Sequence, residues 1–202
     1  MIRVDDLNGA NGFKIEGGEG FGLTLSSAGD LNDDGLPDLA ITNVVLSTGD
    51  LDFVGGVYVL YGADDVSATI DAASIPSGSG ALLTGRRDFE LLGTSVAGGG
   101  DLNDDGVADL LAGGQGSFIG PPGRAVALFG DDALPLRLTT GDLSGATGFE
   151  VFPSGVNALL GQSVAFLGDI DGDGVDDAFL GEPKALPAAP TPSADLGWIV
   201  WG

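Results

Sequence analysis

The residues best suited to chemistry in this chain are the aspartates of one short stretch. From Asp169 it reads Asp-Ile-Asp-Gly-Asp-Gly-Val-Asp-Asp, which places carboxylates at positions 1, 3, 5 and 9. Calcium ions take six to eight oxygen ligands from carboxylates, amides, backbone carbonyls and water. Gly174 at position 6 allows the left-handed backbone that a tight turn needs. With the carbonyl of Val175 and the carboxylate of Asp177, the stretch predicts a calcium-binding loop.

The same pattern occurs three times. Two further copies begin at Asp30 and Asp101, and both have asparagine instead of aspartate at position 3. A solvated acidic turn without a metal accounts for one such stretch, but not for three in the same register. An EF-hand also begins in this way and needs an acidic residue at position 12. Position 12 is Ile41, Ala112 or Leu180 here, which disfavours an EF-hand.

The composition narrows the class of protein. The chain has 202 residues, with 30 acidic and 7 basic side chains and a net charge of −23. This charge argues against generic nucleic-acid binding and against adhesion to anionic membranes. The hydrophobic fraction of 43% is enough for a packed core. No apolar run approaches the roughly 20 residues of a membrane span, and the first residues are not a signal peptide.

Two residue types with frequent catalytic roles are missing. The chain contains no histidine and no cysteine. A serine triad therefore lacks its usual base, and a thiol mechanism lacks its nucleophile. Only carboxylate-based or metal-assisted hydrolysis is left as an enzymatic alternative.

The loops belong to a long internal repeat. Their first aspartates are 71 and 68 residues apart, which leaves room for about four short strands per repeat. We predict one domain over 1–202, with repeats at about 1–62, 63–130 and 131–202. In each repeat a segment with small residues precedes the loop and predicts a crowded inner strand. The predicted first strands are 22–25, 93–97 and 161–166; the second are 39–41, 110–112 and 178–180; the third are 57–62, 125–130 and 198–202; and a further strand precedes each unit, at 12–16, 88–91 and 148–151.

These residues resemble a known repeat. Phe21-Gly22, the Asp-x-Asn-x-Asp-Gly-x-x-Asp loop and the Gly-Glu-Pro at 181–183 are similar to the FG-GAP repeat. That repeat forms blades of the integrin α-subunit β-propeller and of many bacterial secreted proteins. Leu92 and Leu160 replace the phenylalanine in the second and third copies.

The resemblance implies an all-β fold of β-propeller blades, each with four antiparallel strands, and three blades per chain. It also implies one Ca²⁺ in the turn between the first two strands of each blade, three per chain. The implied metal-binding residues are Asp30, Asn32, Asp34, Leu36 and Asp38; Asp101, Asn103, Asp105, Val107 and Asp109; and Asp169, Asp171, Asp173, Val175 and Asp177.

Three blades are too few for a closed ring, because propellers have four to eight. We therefore predict a homodimer that forms a six-bladed ring, in which residues 12–16 of each chain complete the third blade of the other. The alternatives are a piece of a longer propeller or an open arc that stacks into a filament.

The predicted function is a non-enzymatic, extracellular or cell-surface binding or adhesion module with an unidentified protein or carbohydrate ligand. One alternative is a secreted, phospholipase-like hydrolase or an accessory domain of one. The other is a structural subunit of a surface coat or fibre.

Overall fold

The computed structural model describes residues 3–117, 120–153, 155, 158–183 and 196–202. Apart from two 3-10 turns at Val4–Asp6 and Ala72–Ser74, the regular structure of this part of the chain is β. The strands are β1 Lys14–Glu16, β2 Phe21–Gly29, β3 Asp38–Asn43, β4 Gly56–Leu60, β5 Thr69–Asp71, β6 Gly80–Thr84, β7 Leu92–Gly100, β8 Asp109–Gly116, β9 Pro122–Leu128, β10 Arg137–Thr139, β11 Gly148–Val151, β12 Ser163–Gly168, β13 Asp177–Glu182 and β14 Leu196–Val200.

Three antiparallel sheets repeat one plan. The first has the order β2-β3-β4-β6, the second β7-β8-β9-β11 and the third β12-β13-β14. The inner strand of each sheet packs against that of the next, β2 against β7 and β7 against β12. This arrangement confirms the predicted all-β, β-propeller-like class.

The cores lie between consecutive sheets, because side chains alternate between the two faces of a strand. Ala40, Val57 and Val59 of the first sheet pack against Val96 and Val126 of the second. A second cluster joins the second sheet to the third, through Leu111, Ala127, Ala178, Val164 and Phe166. The second sheet therefore packs against a neighbour on both of its faces.

The inner strands approach each other closely, as their small residues predicted. A Cβ atom at Gly98 would meet the backbone of Ala28 in the neighbouring sheet. Close approach extends to the second strand, since a Cβ atom at Gly113 on β8 would collide with the carbonyl oxygen of Gly161, just before β12. Glycine is needed at such positions because the backbones of neighbouring strands pack directly against each other.

The predicted strand at 88–91 is wrong. Phe89 and Leu91 have φ angles of 58° and 55°, in the left-handed region and outside the extended range of a β-strand. Glu90 between them is fully buried and pairs with Arg124 of β9. The outer strand of the first sheet is instead β6, which pairs antiparallel with β4. The buried carboxylate holds this segment in a turn, while the apolar run at 81–83 supplies the strand.

Two short strands were not predicted. β10 pairs parallel with β6, and β5 pairs parallel with β1. The first sheet thus gains a fifth strand, where four antiparallel strands were predicted, and the third sheet has three strands among the described residues. Because β5 and β10 have only three residues each, they show no usable alternation in the sequence.

The other predicted strands are present. The predicted strand at 12–16 is found as β1, and that at 148–151 is β11, the outer strand of the second sheet. Most of the variable segment 184–196 lies outside the described residues. No helix in the described part of the chain is long and apolar enough to span a membrane.

Candidate metal centre

The three acidic loops occupy the same place in their sheets. Each connects the inner strand to the second strand, at the turns β2–β3, β7–β8 and β12–β13. The structure therefore brings each loop to the position implied by the FG-GAP resemblance.

The carboxylate of the first aspartate in each loop accepts hydrogen bonds from the backbone of the turn. In the first loop the carboxylate of Asp30 accepts hydrogen bonds from the backbone N–H groups of Asp34 and Gly35, at 3.0 and 2.8 Å. Asp101 and Asp169 accept the same pair of bonds in their own loops. A carboxylate has about four lone-pair sites, so capacity for a cation is left on each aspartate.

In the first two loops, the side chains at positions 3 and 5 are hydrogen-bonded to each other. Asn32 donates from its amide nitrogen to Asp34 over 2.8 Å, and Asn103 donates to Asp105 over the same distance. The amide oxygen of Asn32 is buried and accepts no hydrogen bond. A buried oxygen without a donor is costly, and a bound cation would remove that cost.

The carboxylate at position 9 joins each loop to the third strand of its sheet through two hydrogen bonds. Asp38 accepts from the N–H of Leu31 at 2.9 Å and from the N–H of Gly62 at 2.8 Å. Asp109 and Asp177 make the corresponding two bonds, and all three are buried. This residue therefore ties the loop to the end of the third strand.

Burial makes the charged form of two of these carboxylates, those of Asp38 and Asp109, unfavourable without a cation. It raises the pKa of Asp109 to about 6, although two backbone N–H donors act in the opposite direction. The charges of Asp101 and Asp105 raise the pKa further. Burial likewise raises the pKa of Asp38. A divalent cation would favour the charged form of both side chains.

Two turn positions have left-handed backbone. Gly35, Gly106 and Gly174 at position 6 have φ angles of 88°, 86° and 103°, as the tight turn required. Position 4 is also left-handed, with Asp33 at 54° and Asp104 at 57°. Both aspartates are exposed and lie outside the ligand set.

The third loop gathers its carboxylates most closely. Oxygen atoms of Asp169, Asp171 and Asp177 lie within 4.8 Å of one another. Val175 at position 7 donates its N–H to Asp173 over 2.9 Å, as Leu36 and Val107 do to Asp34 and Asp105. Carboxylate, amide and carbonyl oxygens suit a hard cation such as Ca²⁺. The residues present therefore fit the implied ion.

Neighbouring loops are joined through hydrogen bonds that the sequence did not indicate. The carbonyl of Asp30 accepts from the N–H of Ala108 at 3.3 Å. The carbonyl of Asp101 accepts from the N–H of Asp176 at 3.1 Å, and the Asp176 carboxylate accepts from the N–H of Asp101 at 3.1 Å. Both donors occupy position 8, so the first residue of one loop is held by the next loop.

A buried charge network lies away from the loops. Arg124 contacts Glu90 at 3.2 Å and Glu150 at 2.6 Å, and its side chain is 1% exposed. Arg86 also pairs with Glu150. Burial raises the pKa of Glu90, while backbone N–H groups of Arg86 and Arg87 lower it. This network joins the turn before β7 to strands β9 and β11 of the second sheet.

Comparison with known proteins points to one group. Integrin alpha-E of Mus musculus is 32% identical over 160 residues, which are 73% of this chain and 13% of that protein. Integrin alpha-PS5 of Drosophila melanogaster is 32% identical over 168 residues, covering 83% of this chain and 15% of that protein. Integrin alpha-5 of Xenopus laevis is 33% identical over 171 residues, covering 80% of this chain and 14% of that protein.

The chain thus spans about one-seventh of the length of these relatives. No protein-family model matches it. Together with the repeated loops and sheets, the matches confirm the predicted resemblance of this chain to FG-GAP domains of the integrin α type.

Proposed function

We propose that the chain is a calcium-stabilised β-propeller module with a non-enzymatic role in binding or adhesion. Each of the three loops takes one Ca²⁺, through side-chain oxygens at positions 1, 3, 5 and 9 and the carbonyl at position 7. The observation that carries this proposal is the pair of backbone hydrogen bonds that the first aspartate accepts in all three loops. In the first loop, the buried amide oxygen of Asn32 also has no donor.

The ion supplies charge compensation in this proposal. Each loop gathers three or four carboxylates, and the position 9 carboxylate is buried. Like charges at such short range are unfavourable until a cation neutralises them. Calcium binding would therefore stabilise the connection between the inner and second strands, and with it the packing between sheets.

Calorimetry tests the metal assignment. Ca²⁺ titrated into EDTA-treated protein should bind at three sites per chain and raise the melting temperature. Asp30→Ala, Asp101→Ala and Asp169→Ala should each remove one site, whereas Asp132→Ala, an equal change of charge at an exposed position, should remove none. A titration without heat, together with melting that is indifferent to EDTA, would refute the proposal.

The relatives and the chemistry support an adhesion-type role outside the cell. The matched proteins are integrin α subunits. Extracellular calcium modules typically bind with dissociation constants of about 10⁻⁴–10⁻³ M, which suits external fluids and not the cytosol. The absence of histidine and cysteine removes the usual catalytic base and nucleophile. The ligand is a protein or a carbohydrate in this proposal.

The proposed module closes as a six-bladed ring of two chains. Within the described residues, the first and third sheets each have one face that no neighbouring sheet covers, and these exposed faces support the proposed ring. Leu25 on β2 is 65% exposed, whereas Val96, which takes its place in the second sheet, is 9% exposed. Ile199 on β14 is 46% exposed, whereas its counterpart Val59 is 1% exposed. A second copy would cover both faces, since a two-fold arrangement repeats the same junction.

A further inference from the structure

The first strand lies where the outer strand of a preceding sheet belongs. β1 pairs parallel with β5, with Lys14 opposite Thr69, just as β6 pairs parallel with β10, with Leu82 opposite Arg137. β6 also pairs antiparallel with β4 along its other edge. Among the described residues, β1 has no partner along that edge, and neither does the outer edge of β14. The two edges are complementary.

A glycine lies at the equivalent position at, or just before, the start of each of the three outer strands. Gly80 lies opposite Leu60, and Gly148 lies opposite Leu128. A Cβ atom at either glycine would collide with a carbonyl oxygen of the third strand, that of Val59 or of Ala127.

Gly12 holds the corresponding place before β1. Its φ of 139° is close to the 135° of Gly148. A Cβ atom at Gly12 would meet no third strand, only the side chain of Leu7. The backbone at Gly12 thus has the shape that admits a third strand, and within the described residues no such strand is there.

An aromatic pair gives the same register. In the second sheet Phe149 packs edge-on against Phe129, with ring centroids 5.9 Å apart. Phe13 follows Gly12 as Phe149 follows Gly148, and Trp201 precedes Gly202 as Phe129 precedes Gly130. Gly130 and Gly202 are equivalent because each donates its N–H to the position 9 aspartate of its sheet. Phe13 is 38% exposed and Trp201 is 54% exposed, so each ring lacks the cover that its counterpart has.

We propose that β1 of one chain pairs antiparallel with β14 of a second copy, with Phe13 opposite the partner's Ile199 and packed edge-on against the partner's Trp201. The register further places Gly12 opposite the partner's Val200 and Glu16 opposite the partner's Leu196. This inference rests on the proposed ring of two chains and defines its junction.

A second copy fits the open edge of β14 in the proposed ring, whereas β1 of the same chain cannot reach it. Ile15 packs against Tyr58 and Leu82 of the first sheet, which holds β1 at the start of the arc. β14 lies at the opposite end, in the third sheet. Contact between the two within one chain would need a ring of three blades, fewer than propellers have.

The junction has a second feature, at the metal loops. Within the chain, position 8 of each following loop donates its N–H to the carbonyl at position 1 of the loop before it. Position 8 of the first loop is Pro37, which has no N–H. The carbonyl of the partner's Asp169 would therefore receive no such bond, and strand pairing and the aromatic contact hold the junction instead.

Engineered disulfides test the register, since the chain has no cysteine of its own. Phe13→Cys and Ile199→Cys are made in separate chains, mixed and oxidised in the presence of Ca²⁺. Residues directly opposite in antiparallel strands have Cα atoms about 4.5–5.5 Å apart, within the range of a disulfide. We expect a covalent heterodimer from the mixture and none from either variant alone.

The matched control mixes Phe13→Cys with Leu196→Cys. The two positions are three residues out of register, about 10 Å apart, so this mixture should not cross-link. Efficient cross-linking of the control, or none in the first mixture, would overturn the register. A chain with both Phe13→Cys and Ile199→Cys that oxidises to a monomer would overturn the exchange. Calcium calorimetry on the same variants separates these failures from failure of the metal assignment.

Discussion

Asp176 of the third loop and Asp101 of the second loop are joined by two hydrogen bonds. The N–H of Asp176 donates to the carbonyl of Asp101, and the Asp176 carboxylate accepts from the N–H of Asp101, both at 3.1 Å. The corresponding link between the first two loops has only the first kind of bond, from Ala108 to Asp30. A residue outside the ligand set of one loop thus fixes the leading ligand of another.

Asp176→Ala should therefore weaken calcium binding at the second loop and leave the first unchanged. The variant removes an acceptor for the N–H of Asp101, and a net contribution of about 1 kcal/mol is typical of one intramolecular hydrogen bond. We expect about a fivefold loss of affinity at the second loop, measured by calorimetry on EDTA-treated protein.

Two control variants distinguish the positioning role of Asp176 from the effect of its charge. Asp176→Asn keeps an acceptor oxygen and should retain most of the affinity, whereas Asp64→Ala removes one exposed carboxylate far from the loops in sequence. If Asp176→Asn weakens binding as much as Asp176→Ala, the effect is electrostatic and the positioning role is wrong.

Chelation should empty the third loop last. It carries four acidic ligands, because Asp171 replaces the asparagine of the other loops, and greater ligand charge generally strengthens calcium binding. Asp171→Asn should lower its affinity to that of the second loop, and Asn103→Asp should raise the second loop towards the third. Three equal sites in the unmodified chain, or a third site that is weakest, would contradict this.

The metal loops were predictable because their chemistry is local. Nine consecutive residues carry the oxygens and the glycine that the turn needs, so the spacing alone defined the loops. The role of Asp176 was not predictable, because its partner is 75 residues away and belongs to another sheet. A polar residue at position 8, where the other loops have Pro37 and Ala108, was its only signal.

The same contrast holds for the fold. Short apolar runs after each loop identified β3, β8 and β13, since their side chains face neighbouring sheets. The segment at 88–91 failed because Glu90 is not a surface residue of a strand but the buried partner of Arg124. A long-range ion pair overrides local propensity and leaves no mark in the spacing of the sequence.

Arg124→Met should destabilise the protein by about 3–5 kcal/mol, because it leaves the carboxylate of Glu90 buried without its cation. Urea unfolding with Ca²⁺ present measures the loss. Adding Glu90→Gln and Glu150→Gln to Arg124→Met should recover part of the stability, since the buried charges are then removed together. If the triple variant is less stable than Arg124→Met alone, hydrogen bonds and not charge pairing dominate this network.

Gly113→Ala should loosen the packing between the second and third sheets. Its Cβ would collide with the carbonyl oxygen of Gly161, which belongs to the backbone and cannot move aside as a side chain could. Overpacking of this kind costs about 1–3 kcal/mol, so the melting temperature should fall by several degrees. Gly145→Ala is the matched control, because no atom lies within 4 Å of a Cβ there. Because the collision lies between the second and third sheets, we expect calcium affinity at the first loop to be unaffected. Gly→Ala without a clash restricts the unfolded chain and does not destabilise, so an equal loss of stability in both variants would show that the collision with Gly161 is not the cause.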